Sequence, residues 1–310
     1  MGPNTTSSSI TFLLTGVPGL EASHTWISIA FCFLYVTALS GNSLILLVIV
    51  TQSSLHAPMY YFLSMLSTTD LGLSVSTLVT TMGIFWFNAR EITFNACLSQ
   101  MFFIKLFTVM ESSVLLAMAF DRFVAISNPL RYATILTDSR IIQIGVAIVI
   151  RGTLTLTPMV ALLTRLSFCH SLVLHHYCFH PDVMKLSCTD TTVNNAAGLT
   201  ALISTVGVDS VLIPFSYVLI IKILSIASPE ERKKAFGTCI SHIGAVALFY
   251  IPLISLSFVH RFGKRAPAYV HTLIANTYLL IPPVMNPIIY SVKTKQIRRA
   301  VIKVLHPKDT

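Results

Sequence analysis

Seven apolar runs alternate with short polar stretches along the chain, at 26–50, 59–85, 96–126, 141–163, 196–226, 236–259 and 270–290. A helix needs about 20 mostly apolar residues to cross a bilayer's hydrocarbon. Each run is too long for a strand and too uniformly apolar for a helix on the face of a soluble domain. The pattern predicts an all-α membrane protein, a seven-transmembrane helix bundle forming one compact unit with short connections. Beyond the last run, Ile297, Ala300, Val301, Val304 and Leu305 recur at helical spacing, with Lys295, Arg298, Arg299 and Lys303 filling the other face. That is a short amphipathic helix lying on a membrane surface. The organisation is an N-terminal segment over 1–25, the bundle over 26–292, and the amphipathic helix with a tail over 293–310.

Composition agrees. Charged residues make up 11% of the 310, against about 25% in soluble domains. The Ser/Thr-rich start lacks a basic segment followed by an apolar core, so the first span is expected to act as its own insertion signal. Seven spans put the two ends on opposite sides. Arg122, Arg131, Arg140, Lys222, Arg232, Lys233, Lys234, Lys293, Lys295, Arg298, Arg299, Lys303 and Lys308 fall on one side, thirteen in all. Arg90, Arg165, Lys185, Arg261, Lys264 and Arg265 fall on the other, six in all. The richer side is expected to be cytoplasmic, which places Asn4-Thr5-Thr6, a glycosylation pattern at Asn4, outside the cell. The net charge of +9 then reflects topology and anionic lipid rather than nucleic acid. The expected location is the plasma membrane, crossed several times.

Cys97, Cys169, Cys178 and Cys188 lie on the outer side, where an oxidising compartment favours disulfides. Three pairings are open to them. Cys32 and Cys239 lie within spans and read as reduced packing residues. His170, His175, His176 and His180 sit among the outer cysteines. Their ligand type suits a transition metal, but solvated loop histidines are the preferred reading.

The chemistry that decides the class is Asp121-Arg122, at the end of the third run. Charges inside a bilayer cost several kcal/mol, about 2.5–3.5 on insertion scales, so the pair belongs at the membrane edge, where it can form a latch. Span three covers about 37 Å from Cys97 to Arg122, joining one face of the membrane to the other. Arg122 can pair with Asp121 when the bundle is closed and be freed if span six moves, which is a two-state element. Asp70 and Glu111 lie near mid-membrane. They should face inward and share a cation, a proton or polar neighbours such as Asn42, Ser112, Ser241 and Asn286. Pro252, Pro282, Pro283 and Pro287 leave backbone carbonyls free and give spans six and seven places to bend.

A ligand pocket is expected among spans three, five and six at the outer end. Lys105 lies about 12 Å below Cys97 and shares a helical stripe with Thr108, Val109 and Ser112. Arg261 and His260 cap span six, Ser257 is one turn deeper, and His180 hangs from the loop. Arg261 is the first choice to grip a carboxylate, because guanidinium does so bidentately. His180 assists, and Lys105 is either a second anchor or the partner of Asp209. Arg151 reads as structural or lipid-facing. Phe102, Leu106, Gly198, Leu202 and Ile254 would line the apolar part. The expected ligand is small, with an acidic or hydrogen-bond-accepting head and a short apolar tail.

Several motifs, in order, carry a resemblance over nearly the whole chain. They are Gly41-Asn42, Leu55-His56-Ala57-Pro58-Met59-Tyr60, and the run from Ala117-Met118-Ala119-Phe120-Asp121-Arg122 to Phe123-Val124-Ala125-Ile126. Lys234-Ala235-Phe236-Gly237-Thr238-Cys239-Ile240-Ser241-His242 and Asn286-Pro287-Ile288-Ile289-Tyr290 complete the set. Together they resemble the olfactory receptors of the rhodopsin-like G-protein-coupled class. His56-Ala57-Pro58, Asp182-Val183-Met184-Lys185-Leu186, Val259-His260-Arg261-Phe262-Gly263 and Lys293-Thr294-Lys295-Gln296-Ile297-Arg298 resemble the fish-like class I branch and its family 51.

The resemblance implies disulfides Cys97–Cys178 and Cys169–Cys188, a sodium-type site at Asp70 and Glu111, and no other cofactor. It implies an odorant ligand, of which carboxylic acids are one group for class I. It also implies a heterotrimeric stimulatory G protein as partner and a rise in cyclic AMP. The G-protein switch falls on Asp121, Arg122, Tyr217 and Tyr290, and the activation core on Tyr250, Asn286 and Pro287. The chain departs from the family's usual Tyr at Phe120 and Phe123 and usual Cys at Ser127, which bears on basal activity. The main rival is a secondary transporter of small organic anions, using Asp70, Glu111, Lys105 and Arg151, but no inverted repeat is visible. No phosphate loop, His-Glu-x-x-His or Gly-x-Ser-x-Gly elbow points to an enzyme.

Overall fold

A computed structural model describes residues 10–16, 24–173, 175–262 and 268–305, without the side chains at 24, 231, 234, 238, 261, 262, 268, 269 and 305. The sequon at Asn4 lies outside the described residues.

Seven helices are long and apolar enough to cross a membrane: Thr25–Thr51, Pro58–Phe87, Phe94–Ser127, Asp138–Leu163, Thr192–Ser225, Ala235–His260 and Val270–Lys293. They are taken here as spans one to seven. Pro58 opens span two at a position where its missing N–H costs nothing, and Asn88, in the left-handed region at φ 50°, closes it. Span three is the most enclosed of the seven, as expected of a helix surrounded by others. Large apolar side chains such as Val79, Leu154, Val211 and Phe258 face outward, where lipid rather than water meets them. After span seven, helix Lys295–Leu305 buries Ile297 and Ala300 and exposes its basic face.

Polar contacts hold the spans where the backbone has a spare group. Pro287 has no N–H, so the carbonyl of Pro283 one turn earlier lacks its helical donor. Asn42 Nδ2 of span one supplies one at 2.8 Å. Gly41 allows the approach, since a Cβ there would stand 3.0 Å from Pro287 Cβ. Tyr35 of span one bonds Thr77 and Thr81 of span two at 2.8 and 3.1 Å.

A small sheet caps the end of the bundle that carries the disulfides. Strand β1 (Thr11–Leu14) lies between β2 (Glu91–Thr93), antiparallel, and β3 (Leu172–Val173), parallel. Its alternation turns Phe12 and Leu14 inward against Leu163, Val173 and Cys178. Disulfides join Cys97 to Cys178 and Cys169 to Cys188. Gln100 adds a second tie, donating to Ser76 O and Thr80 Oγ1 while accepting from the Cys178 backbone N–H at 2.9 Å.

Candidate ligand cavity and polar relay

Beneath this loop a cavity of ≈ 450 Å3 opens among spans three to seven, with Leu156 and Met159 of span four in its wall. Its wall includes Lys105, Thr108 and Val109 of span three, Gly198 and Leu202 of span five, and Leu253, Leu256, Ser257 and His260 of span six. Phe179, His180 and Lys185 roof it, and Tyr278 closes the span-seven side. Lys105 Nζ lies 5.4 Å from the centroid of the Phe179 ring, a cation–π distance. Among the described residues no carboxylate pairs with Lys105. Thr108 hydroxyl and Tyr278 hydroxyl are hydrogen-bonded to each other.

The loop histidines are not solvated, contrary to the sequence reading. His175, His176 and His180 are all buried, and only His170 of the four is exposed. Helix His180–Lys185 seats His180 against Gly198, where an added Cβ would stand 3.1 Å from the ring. Burial, reinforced by nearby Lys105, holds the His180 imidazole down to about 3, so it is neutral and can serve as donor or acceptor. His176 is likewise pushed to about 3 by burial and by His175. Asp182 contacts His175 Nδ1 at 2.5 Å and accepts from Lys185 Nζ at 2.8 Å. Burial raises its carboxyl, but those two partners outweigh it and hold the group well below the usual carboxylate range. No group of three or more metal-ligating side chains occurs among the described residues.

The structure thus gathers His180, Lys105, Ser257, Thr108, Val109, Gly198 and Leu202 in one cavity. Four expected residues lie elsewhere. Leu106 points at span four, where it packs so close to Gly152 that a Cβ there would be 2.8 Å away. Phe102 joins the same cluster with Leu156 and Met159. Ile254 is 58% exposed on the outer face of span six. Ser112 lies one turn below Thr108 and is committed to other partners. The side chain of Arg261 lies outside the described residues.

Those partners form a network under the cavity. Asp209 does not pair with Lys105. It pairs with Arg151, whose Nη1 lies 2.9 and 3.1 Å from the two carboxylate oxygens. Asp209 also accepts from Ser112 at 3.0 Å and Ser113 at 3.2 Å, and Ser112 shares a 2.7 Å bond with Tyr250. The second arm of Arg151 uses a wide turn in span five. Over Ile203–Gly207 the helix takes π geometry, with Val208 N–H reaching back to Ile203 O. Ser204 O then lacks its ordinary donor, and Arg151 Nη2 donates to it at 3.0 Å and to Thr205 O at 3.1 Å. Arg151 is structural, as one of its two expected readings held.

Asn286 Nδ2 donates to Asp70 Oδ2 at 3.0 Å and lies within reach of Glu111. Asp70 Oδ1, Glu111 Oε1 and Ser74 Oγ are buried without a hydrogen-bond partner among the described residues. Buried oxygens of this kind call for a cation or a proton.

At the opposite, basic end, Arg122 Nε stands 3.8 Å from Asp121 Oδ2, with both residues buried. The other carboxylate oxygen accepts from Tyr132 at 2.6 Å, a partner beyond the span that the sequence reading missed. Tyr217 of span five bonds His242 Nδ1 of span six at 2.7 Å. His242 Nε2 meets Leu115 O of span three at 3.0 Å. A carbonyl only accepts, so Nε2 carries the proton and Nδ1 accepts from Tyr217. Tyr290 is buried nearby in the same core. One stripe of span three therefore touches the cavity at Lys105, span seven at Thr108, spans five and six at Ser112, span six again at Leu115, and the latch at Arg122. His242 stood in a recognised motif, and its spacing from Tyr250 by eight residues placed both on one face.

Residues 31–308 match the family model described as "Olfactory receptor". The chain is 79% identical to human "Olfactory receptor OR51C1" over 312 residues, covering all of both chains. It is 62% identical to human "Olfactory receptor 51F2" over 309 residues, covering 99% of this chain and 90% of the relative. The fold matches squid rhodopsin with a TM-score of 0.74 at 18% identity, over 94% of this chain and 87% of that one.

Proposed function

The chain belongs to the olfactory receptor family, and from that premise we propose that it senses small acidic odorants and signals through a stimulatory G protein that raises cyclic AMP. The observation that carries the ligand class is Lys105, a cation in the cavity wall with no carboxylate partner among the described residues. A desolvated ammonium is stabilised by an anion, and a charge-assisted bond there fixes the ligand's head. Neutral His180 supplies a second polar contact, and Arg261 at the end of span six is a further anchor from its place in the sequence. A cavity of ≈ 450 Å3 falls within the range of about 300–1,000 Å3 that holds drug-sized molecules. It supports a longer apolar tail than the short one expected from sequence.

The basic end faces the cytoplasm in this reading and the capped end faces out, following the distribution of Lys and Arg. Ligand seating shifts Tyr278 of span seven against Thr108 and Ser112 of span three, and the Tyr217–His242 link and the Arg122 latch follow. Asp70 and Glu111 would hold a sodium ion, whose charge their unpartnered oxygens fit, with Asn286 bonded to Asp70 and Ser74 Oγ also unpartnered.

The test is cyclic AMP recorded against straight-chain acids, alcohols and aldehydes of graded length. Acids should be preferred, and Lys105→Ala should remove that preference. Unchanged acid responses in both Lys105→Ala and Arg261→Ala, at normal surface expression, would overturn the ligand class.

A further inference from the structure

A second cavity, of ≈ 280 Å3, lies between spans five and six toward the basic end. Ile213, Ile220, Ile221 and Leu224 form one wall and Phe236, Ile243 and Val246 the other, with Tyr217 and Cys239 between. Ile221, Phe236 and Ile243 are 55%, 48% and 44% exposed, so the groove opens sideways to lipid rather than into the bundle. Ile213 to Leu224 spans about 16 Å of helix, and Phe236 to Val246 about 15 Å. Both walls are therefore as long as one leaflet of a hydrocarbon core about 30 Å thick. A slot that is long, apolar and open to the side suits an extended acyl chain better than a compact molecule.

The mouth of the slot carries a fixed cation. Arg232 Nε donates to Leu224 O at 3.2 Å, and Nη2 donates to Ser225 O at 3.2 Å and Ala227 O at 3.4 Å. Leu224 is itself a wall residue, so the guanidinium sits where the chain would meet its headgroup. Arg232 precedes Phe236 by four residues and so shares the groove face of its helix. Lys233 and Glu230 are exposed beside it, and no ion pair engages Arg232 among the described residues.

The geometry points to a bound anionic phospholipid, one acyl chain in the groove between spans five and six and its net-negative headgroup on Arg232. Tyr217 lines the groove and is bonded to His242, so the chain packs against a direct side-chain hydrogen bond between spans five and six. Occupancy therefore biases how far those two spans can separate.

Native mass spectrometry of the full-length protein, exchanged from nanodiscs of mixed phosphatidylserine and phosphatidylcholine into detergent, tests this without any odorant or G protein. One retained phospholipid is expected, with phosphatidylserine favoured about fivefold, the effect of about one basic side chain at a membrane surface. Arg232→Gln should bring the two lipids to parity. Val246→Phe, which fills the groove, and Ile221→Trp, which blocks its exposed lip, should each abolish retention at unchanged melting temperature. Retention equal to wild type in Ile221→Trp, or a headgroup preference untouched by Arg232→Gln, would overturn the assignment and leave annular lipid only.

Discussion

Arg151 Nη1 stands 2.9 Å from Asp209 Oδ1, so a cation of span four and an anion of span five neutralise each other inside the bundle. Asp209 is wholly buried, and its carboxylate accepts four hydrogen bonds from three groups, Arg151 Nη1, Ser112 Oγ and Ser113 Oγ. Removing one partner strands a charge. Arg151→Met should cost about 3 kcal/mol or more, read as a large fall in melting temperature. Arg151→Met with Asp209→Leu should recover most of the loss, because no charge is then left buried.

Lys105→Ala should raise the half-maximal concentration for acid odorants about 10- to 100-fold, the value of one hydrogen bond to a charged group at about 1.5–3 kcal/mol. Lys105→Arg should lose less. Alcohols should respond to wild type and variant alike. Cyclic AMP dose curves at matched surface expression decide it.

The two disulfides should differ in worth. Cys97–Cys178 closes 81 residues and Cys169–Cys188 closes 19. Loop entropy then assigns about 4.5 and about 3.2 kcal/mol respectively. Replacing the first pair with serine should lower the melting temperature further than replacing the second.

Acid should loosen the roof of the cavity. His176 and His180 titrate near 3 when folded and near 6.5 when unfolded. Between those values the unfolded chain binds more protons, so stability is whole above about 6.5 and falls as pH drops toward 3. Asp182, held below its ordinary value, adds a loss of the same sign at lower pH still. Hydrogen exchange across 175–186 should be faster at pH 5 than at pH 7.4, and His180→Gln should reduce the difference.

Tyr132→Phe should raise basal cyclic AMP. It removes the 2.6 Å bond that holds Asp121 and, through it, Arg122. A loss of about 1 kcal/mol changes the populations of the two latch states about fivefold.

The spans and their order were readable because lipid demands uninterrupted apolar helices and leaves few alternatives. Rotational detail was less so. Leu253, Leu256, Ser257 and His260 face the cavity at intervals of three and four, a rhythm that excludes Ile254 and could have been used. By contrast, the choice of Arg151 over Lys105 as the partner of Asp209 depends on the wide turn at Ile203–Gly207, which shifts the phase of everything after it. No apolar rhythm announces such a turn. Strand β1 was equally hidden, since its partners lie about 80 and 160 residues away.

That wide turn gives span five a place where its length is negotiable. Five residues do there what an ordinary coil would do with one fewer, so deleting a single residue within 203–207 would let the helix close up while preserving the facing of both halves. The same deletion ahead of the turn would rotate the two halves by roughly 100° against each other and carry Asp209 away from Arg151, while one beyond Asp209 would rotate the end of the span that carries Tyr217. Shortened homologues and engineered deletions should therefore cluster at this one point.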